Sequence, residues 1–249
     1  MLTRRFALLS LLLMLAAPAG AQTQRMAVPS YFYPGALWTK LGAAAPTVGL
    51  AIINPGSGTG DKINTDYQAQ VKAMQAKGIL VLCYVHTSYG KRDAKVVQDE
   101  MGHAFAWYAV NGIFLDEVSS DKAGVPYFAA CRKFIKAQNP KALAVLNPGN
   151  QVDEGYMAVS DVVCNYESGY DAYVHKYTAP AWLTKYPARR FWHIVLSVPT
   201  EAQMREVVRL SKQRHAGWLF VTPYGDPNPY DKLPEEPYWS GELAALKSK

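Results

Sequence analysis

Eight short apolar runs, each closed by polar residues, glycine or proline and most of them followed by a helical pattern, restrict the fold more than any other feature of this chain. The runs are Ala27 to Tyr33, Val48 to Asn54, Ile79 to His86, Gly112 to Asp116, Leu143 to Asn147, Asp161 to Tyr166, Phe191 to Val198 and Trp218 to Tyr224. This is the rhythm of repeated β/α units, in which helices cover a parallel sheet. Eight such units fit a (β/α)8 TIM barrel, whose usual size is about 250 residues. An open doubly wound sheet would want a dinucleotide fingerprint after its first strand, and Val28-Pro29-Ser30-Tyr31 is not one. With 49% apolar and 18% charged residues the chain can bury one large core, so residues 22–249 are expected to form a single domain.

Several helix ends are legible. Asp93 precedes Val96, Val97, Met101 and Phe105 at helical spacing, Val125-Pro126 opens a helix that Asn139-Pro140 stops, and Thr200-Glu201-Ala202-Gln203 fits a capping box. Gln151 to Ser160 is short and Tyr170 to Arg190 carries Pro180 and Pro187, so irregular loops are expected there.

The first residues are set apart from this pattern. Arg4 and Arg5 precede the apolar run Phe6 to Ala17, and Ala19-Gly20-Ala21 supplies small residues for cleavage, the order of a secretory signal peptide over residues 1–21. A secreted or periplasmic location is therefore expected, with no membrane attachment after cleavage. Loss of the two arginines takes the formal net charge from +6 to +4. The remaining positive residues are scattered, which leaves no electrostatic footprint for nucleic acid. Cys83, Cys131 and Cys164 are an odd set, two of them inside apolar runs, and are expected as buried free thiols. No Cys-x-x-Cys or His-x-x-x-His pair marks a metal site, and no cofactor is expected.

In such a barrel the chemistry sits at the C-terminal strand ends. The glycine-rich Asn54-Pro55-Gly56-Ser57-Gly58-Thr59-Gly60 has the spacing of neither a Walker loop nor a dinucleotide loop, and reads as a flexible loop at the mouth. The fourth strand ends in Asp116-Glu117, which would project to opposite sides if both kept strand geometry. The sixth is followed by Glu167 at the corresponding place. Even-numbered strands share side-chain layers, so Glu167 should face Asp116 or Glu117 across the mouth. Two carboxyls flanking a bond, one as acid and one as nucleophile or base, are the machinery of glycoside hydrolysis. Tyr31, Asn54, Tyr84, His86, Asn147, Tyr166 and Tyr224 crowd the same rim and offer the mixture of rings and polar groups that sugars use.

Together these segments resemble the spherulation-specific family 4 (spherulin-4-like) proteins, grouped as glycoside hydrolase family 135. The resemblance rests on Pro29-Ser30-Tyr31-Phe32-Tyr33-Pro34, Asn54-Pro55-Gly56-Ser57-Gly58, Tyr84-Val85-His86-Thr87-Ser88-Tyr89-Gly90, Gly112 to Glu117, Leu146-Asn147-Pro148-Gly149 and Asn165-Tyr166-Glu167. It implies a barrel hydrolase that cleaves α-1,4-linked N-acetylgalactosamine within galactosaminogalactan-like exopolysaccharide, with the family's acidic trio on Asp116, Glu117 and Glu167. His86 stands where the family more often carries another residue. A monomer acting on polysaccharide is expected, with Asp116 as nucleophile or electrostatic stabiliser, Glu167 as general acid/base and Glu117 as the neighbour that orients them. A catalytically silent carbohydrate-binding protein on the same barrel is the alternative, but binding alone has no need of carboxyls on both the fourth and sixth strands.

N-terminal sequencing of the exported protein should begin near Gln22; a mature cytosolic form starting at Met1 would contradict the leader.

Overall fold

The computed structural model describes residues 23–248; the expected leader lies outside the described residues. Eight parallel strands close into a barrel in chain order: β1 Arg25–Pro29, β2 Val48–Ile53, β3 Leu80–His86, β4 Gly112–Asp116, β5 Leu143–Leu146, β6 Val162–Gly169, β7 Phe191–Leu196 and β8 Trp218–Val221. The helices outside are α1 Ala36–Ala43, α2 Thr65–Gln75, α3 Ala94–Tyr108, α4 Val125–Gln138, α5 Tyr170–His175, α6 Glu201–Gln213 and α7 Tyr238–Lys247. All six residues of β2 are buried, the run of unbroken apolarity that a strand covered on both faces requires.

The expected caps form. Asp93 accepts from the backbone N–H groups of Lys95 and Val96 at 2.9 and 3.1 Å, and the Thr200 hydroxyl accepts from Gln203 N at 3.3 Å. Pro126 sits in the first turn of α4, where a missing N–H costs nothing. The two stretches read as irregular loops are partly helical: Glu154–Ala158 forms a 3-10 turn, and α5 starts directly at the end of β6. The cysteines are free and buried.

Two departures from the expected strands position the site. β6 continues past Tyr166 to Gly169, so Glu167 lies within the strand rather than after it. Its pairing with β7 also slips between Cys164 and Tyr166, leaving Asn165 as an extra residue. Strict alternation from an inward Cys164 would turn Tyr166 inward and Glu167 outward. The bulge reverses this and aims Glu167 into the barrel mouth.

The barrel seam is thin. β1 and β8 pair through only Arg25–Trp218 and Met26–Leu219. Beyond that ladder the Val221 N–H donates at 2.9 Å to Oε1 of Glu242, a fully buried residue of α7. Burial raises the Glu242 carboxyl to about 8, outweighing the bond from Val221. The folded state thus holds a proton that the unfolded chain, titrating near 4.5, releases. Stability from this group is present below about 4.5 and is lost as pH rises towards 8. Glu242→Gln retains the acceptor for Val221 without the titration, so its melting temperature should gain on the wild type as pH is raised through that window. A constant difference between the two proteins from pH 5 to pH 9 would contradict this role.

Candidate active site

The site starts from one amide. Asn147, immediately after β5, continues the β4–β5 ladder by donating its N–H to Leu115 O at 2.8 Å and accepting from Val118 N at 3.1 Å. Its side chain is thereby held between β4 and β6. Nδ2 donates to Asp116 Oδ1 at 2.8 Å and to Glu167 Oε2 at 2.6 Å, while Oδ1 accepts from Gly149 N at 3.0 Å. The two carboxyls require a donor and the Gly149 N–H requires an acceptor, so only this orientation of the amide satisfies all three. Gly149 takes φ 61°, and a Cβ there would approach the Glu167 Cβ to 3.4 Å, so a side chain would strain the turn and crowd the acid. The Glu167 N–H donates to Gly149 O at 2.9 Å, which ties the same turn to β6.

An aromatic wall stands around the pair. Tyr31 packs edge-on against Tyr84 and Tyr230 at centroid separations of 5.6 and 5.3 Å. Tyr84 stands beside Asp116, and the Tyr230 hydroxyl donates to Glu167 Oε1. Desolvation raises both carboxyl pKa values. At Asp116 the Glu117 backbone, Tyr84 and Asn147 oppose it, while at Glu167 Tyr230 and Asn147 oppose it and the charge of Asp116 adds to the rise. Burial and the same carboxylates push the Tyr31 and Tyr84 phenols well above their usual range, which keeps them as neutral donors.

Glu117 does not continue the strand. Its backbone is left-handed at φ 53°, as are Ser88 and Tyr89 opposite it at 48° and 58°. These conformations are costly outside glycine. They are held by bonds between the two segments: Tyr89 N to Glu117 O at 2.6 Å, Ser88 N to Glu117 Oε2 at 3.1 Å, and the buried Thr87 hydroxyl between the carbonyls of Asp116 and Glu117 at 2.9 and 2.8 Å. The Glu117 carboxylate stays partly exposed on the lip of the mouth, 3.6 Å from His86 Nδ1.

Of the residues expected at the rim, Asp116, Glu167, Asn147, Tyr84 and Tyr31 converge, with Glu117 and His86 beside them. Three others turn elsewhere. Asn54 spends its side chain on its own loop, accepting from Gly58 N at 2.7 Å. Tyr166, reversed by the bulge, packs behind the sheet on Tyr173 and Tyr177 and donates to Gly169 O at 2.9 Å. Tyr224 lies beyond the end of β8, its ring 4.1 Å from Lys232 Nζ. Tyr230 is the rim tyrosine that sequence reasoning missed. The proline-rich Asp226-Pro227-Asn228-Pro229 before it was the available signal, a loop at the mouth that must fold back to satisfy its backbone, as the bond from Tyr31 N to Tyr230 O at 3.1 Å does. Gly149 and Thr87 stood within the motifs that carry the resemblance but were assigned no role of their own. Among the described residues no three His, Cys, Asp or Glu side chains form a metal-ligand set.

A closed eight-stranded barrel with an amide-bridged carboxyl pair at the C-terminal ends of β4 and β6 defines the class, a (β/α)8 barrel with its candidate site at the usual face. The family follows from the chain itself: the spherulation-specific family 4 model matches residues 25–246, and the protein belongs to that family. Spherulin-4 of Physarum polycephalum is 35% identical over 147 residues, 57% of this chain and 44% of that protein, so the match spans less than half of the relative's length. The fold is shared with Aspergillus clavatus Sph3, solved in complex with GalNAc, at a TM-score of 0.79 and 24% identity over 91% of this chain and 98% of that one. The glycoside hydrolase domain of Pseudomonas aeruginosa PelA is more distant, with a TM-score of 0.51 and 14% identity over 83% and 96% of the two chains.

Because the Tyr230 phenol donates to the ionised form of Glu167, Tyr230→Phe should raise the Glu167 carboxyl pKa further. Carbon-13 titration of labelled glutamate side chains measures it, and an unchanged or lowered value would mean the phenol does not stabilise the carboxylate.

Proposed function

We propose that the protein is a secreted, endo-acting glycoside hydrolase that cleaves α-1,4-linked N-acetylgalactosamine in galactosaminogalactan-like exopolysaccharide. The observation that carries this reading is the single Asn147 nitrogen within 2.8 and 2.6 Å of Asp116 and Glu167. Two bonds of that length to one atom keep the nearest carboxyl oxygens closer than the roughly 6.5 Å at which room for an inverting water begins, which favours retention of anomeric configuration. The sugar class rests on family membership and on the GalNAc held by the neighbouring Sph3 barrel.

The roles follow from the bonding. Asp116, held by the Asn147 amide, is suited as the carboxylate that attacks the anomeric carbon. Glu167, desolvated and beside that negative charge, has its carboxyl pKa raised, the direction a general acid requires. As the Asp116 oxygen bonds to the anomeric carbon, the glycosidic C–O bond breaks and Glu167 protonates the departing oxygen. The resulting Glu167 carboxylate then takes a proton from water, whose oxygen displaces Asp116 from the same carbon and restores both groups. Glu117 and His86 on the lip are suited to hold sugar hydroxyls. Tyr33 and Tyr89, 59% and 61% exposed on the loops after β1 and β3, offer faces for further units of a long chain, in keeping with endo action.

Incubation of the purified protein with α-1,4-linked N-acetylgalactosamine polymer should release oligosaccharides detectable by mass spectrometry, with the α-anomer seen first by proton NMR. Asp116→Asn and Glu167→Gln should each lower kcat by about 10²–10⁴-fold, with Glu117→Gln milder. EDTA should leave turnover intact, since two carboxyls suffice for this chemistry. Wild-type hydrolysis by Glu167→Gln sinks the assignment; binding of the polymer without any cleavage by the wild type points to the carbohydrate-binding alternative.

A further inference from the structure

Behind β6, on the face away from the mouth, lies a polar chain that the cleavage chemistry does not touch. Asn165, the extra residue of the bulge, is buried and its Nδ2 donates to the Tyr177 hydroxyl at 2.8 Å. That hydroxyl lies 3.2 Å from His193 Nε2, and the Tyr173 hydroxyl lies 2.8 Å from His193 Nδ1. His193 is fully buried on β7 and is register partner to Tyr166. Burial, reinforced by Arg214, lowers its pKa to about 3, so the imidazole stays neutral and both ring nitrogens remain in hydrogen bonds with tyrosines. The Arg214 guanidinium covers the outer side, 4.6 Å from the Tyr173 ring and bonded to Tyr173 O at 2.5 Å.

The position of this chain has a mechanical meaning. An unbulged β6 that kept Cys164 inside would bring the largely apolar Tyr166 into the barrel and send Glu167 out, and by polarity alone that pairing is the better one. Something must therefore hold the extra residue. Asn165 is bonded on the outer face, and Tyr166 is seated there against Tyr173 and Tyr177 with ring centroids 4.7 and 5.0 Å away. Loss of those partners removes what distinguishes the two pairings. We propose that Asn165, Tyr177 and His193 are positioning residues, a lock on the outer face of β6 that fixes the bulge and thereby holds Glu167 in the mouth.

This rests on the reading of Glu167 as the acid, and the test separates the two claims. Wild type, Tyr177→Phe and Asn165→Ala are labelled with carbon-13 in the glutamate side chains, the Glu167 signal being identified by its absence in Glu167→Gln. In the wild type Glu167 should titrate above the ordinary 4.5. In both variants it should fall to the ordinary range or below, because a carboxyl turned outward leaves Asp116 and meets Arg214. Tyr177→Phe changes one oxygen of a retained ring, so a folded protein is expected even where Asn165→Ala is weakened. On the polymer, kcat should drop about 10²-fold with KM within about twofold, the pattern of a misplaced group rather than a lost binding contact. Raised titration of Glu167 persisting in the folded variants overturns the lock whatever the activity. A wild type that cleaves no glycan defeats the hydrolase reading alone, and the titration still decides the lock.

Discussion

One –NH2 group shared by two carboxyls sets the terms for this barrel. At about 5 Å and an effective dielectric near 20, two ionised carboxylates repel by on the order of 3 kcal/mol, enough to separate their protonation about a hundredfold. A bridging amide offsets part of that repulsion and fixes the separation, but only if three strands agree. β4 must end at Asp116, β5 must hand Asn147 on to the ladder of β4, and β6 must deliver Glu167 in spite of its own alternation. The Gly149 turn and the Tyr230 loop are consequences of that agreement, each satisfying one side of the amide or the acid.

The architecture was legible because a barrel strand covered on both faces leaves a short run of apolar residues closed by polar residues, glycine or proline. β2 and β4 are found where Val48 to Asn54 and Gly112 to Asp116 announce them. That Glu167 should face an acid at the end of β4 was legible for a related reason, since alternate strands share layers, while the choice between Asp116 and Glu117 was open until the backbone turn at Glu117 was seen. What stayed hidden depended on register. A bulge at Asn165 has no signature in composition, yet it exchanges the directions of Tyr166 and Glu167, so one expected sugar contact turns outward and the acid turns in. Tyr224 and Tyr230 are both tyrosines of the loop after β8, and the choice between them is made by how that loop folds back onto Tyr31, a contact between distant parts of the chain.

The lip of the mouth shows a different economy. Glu117, Ser88 and Tyr89 all adopt left-handed backbone that glycine would take more cheaply, and Glu117 holds the other two, its carbonyl accepting from Tyr89 N and its carboxylate from Ser88 N. Such strain persists only where surrounding contacts over-determine it. Thr87, wedged between two carbonyls of the β4 end, supplies much of that constraint. The result is an exposed carboxylate whose direction is set by backbone rather than by its own rotamers, beside a deeper pair whose direction is set by an amide.

The thin seam between β1 and β8 bears on how the chain acquires its shape. Closure joins residues nearly two hundred positions apart, Arg25 with Trp218, through a ladder of two pairs, and the next donor along β8 is met by a helix residue, Glu242, instead of a strand. Contacts of such separation are formed late, after the entropy of the intervening loop has been surrendered. Until β1 and β8 meet, the sheet has two unpaired edges, and a ladder of two pairs is little to hold them together, so this seam is where the barrel is most open to association with other chains.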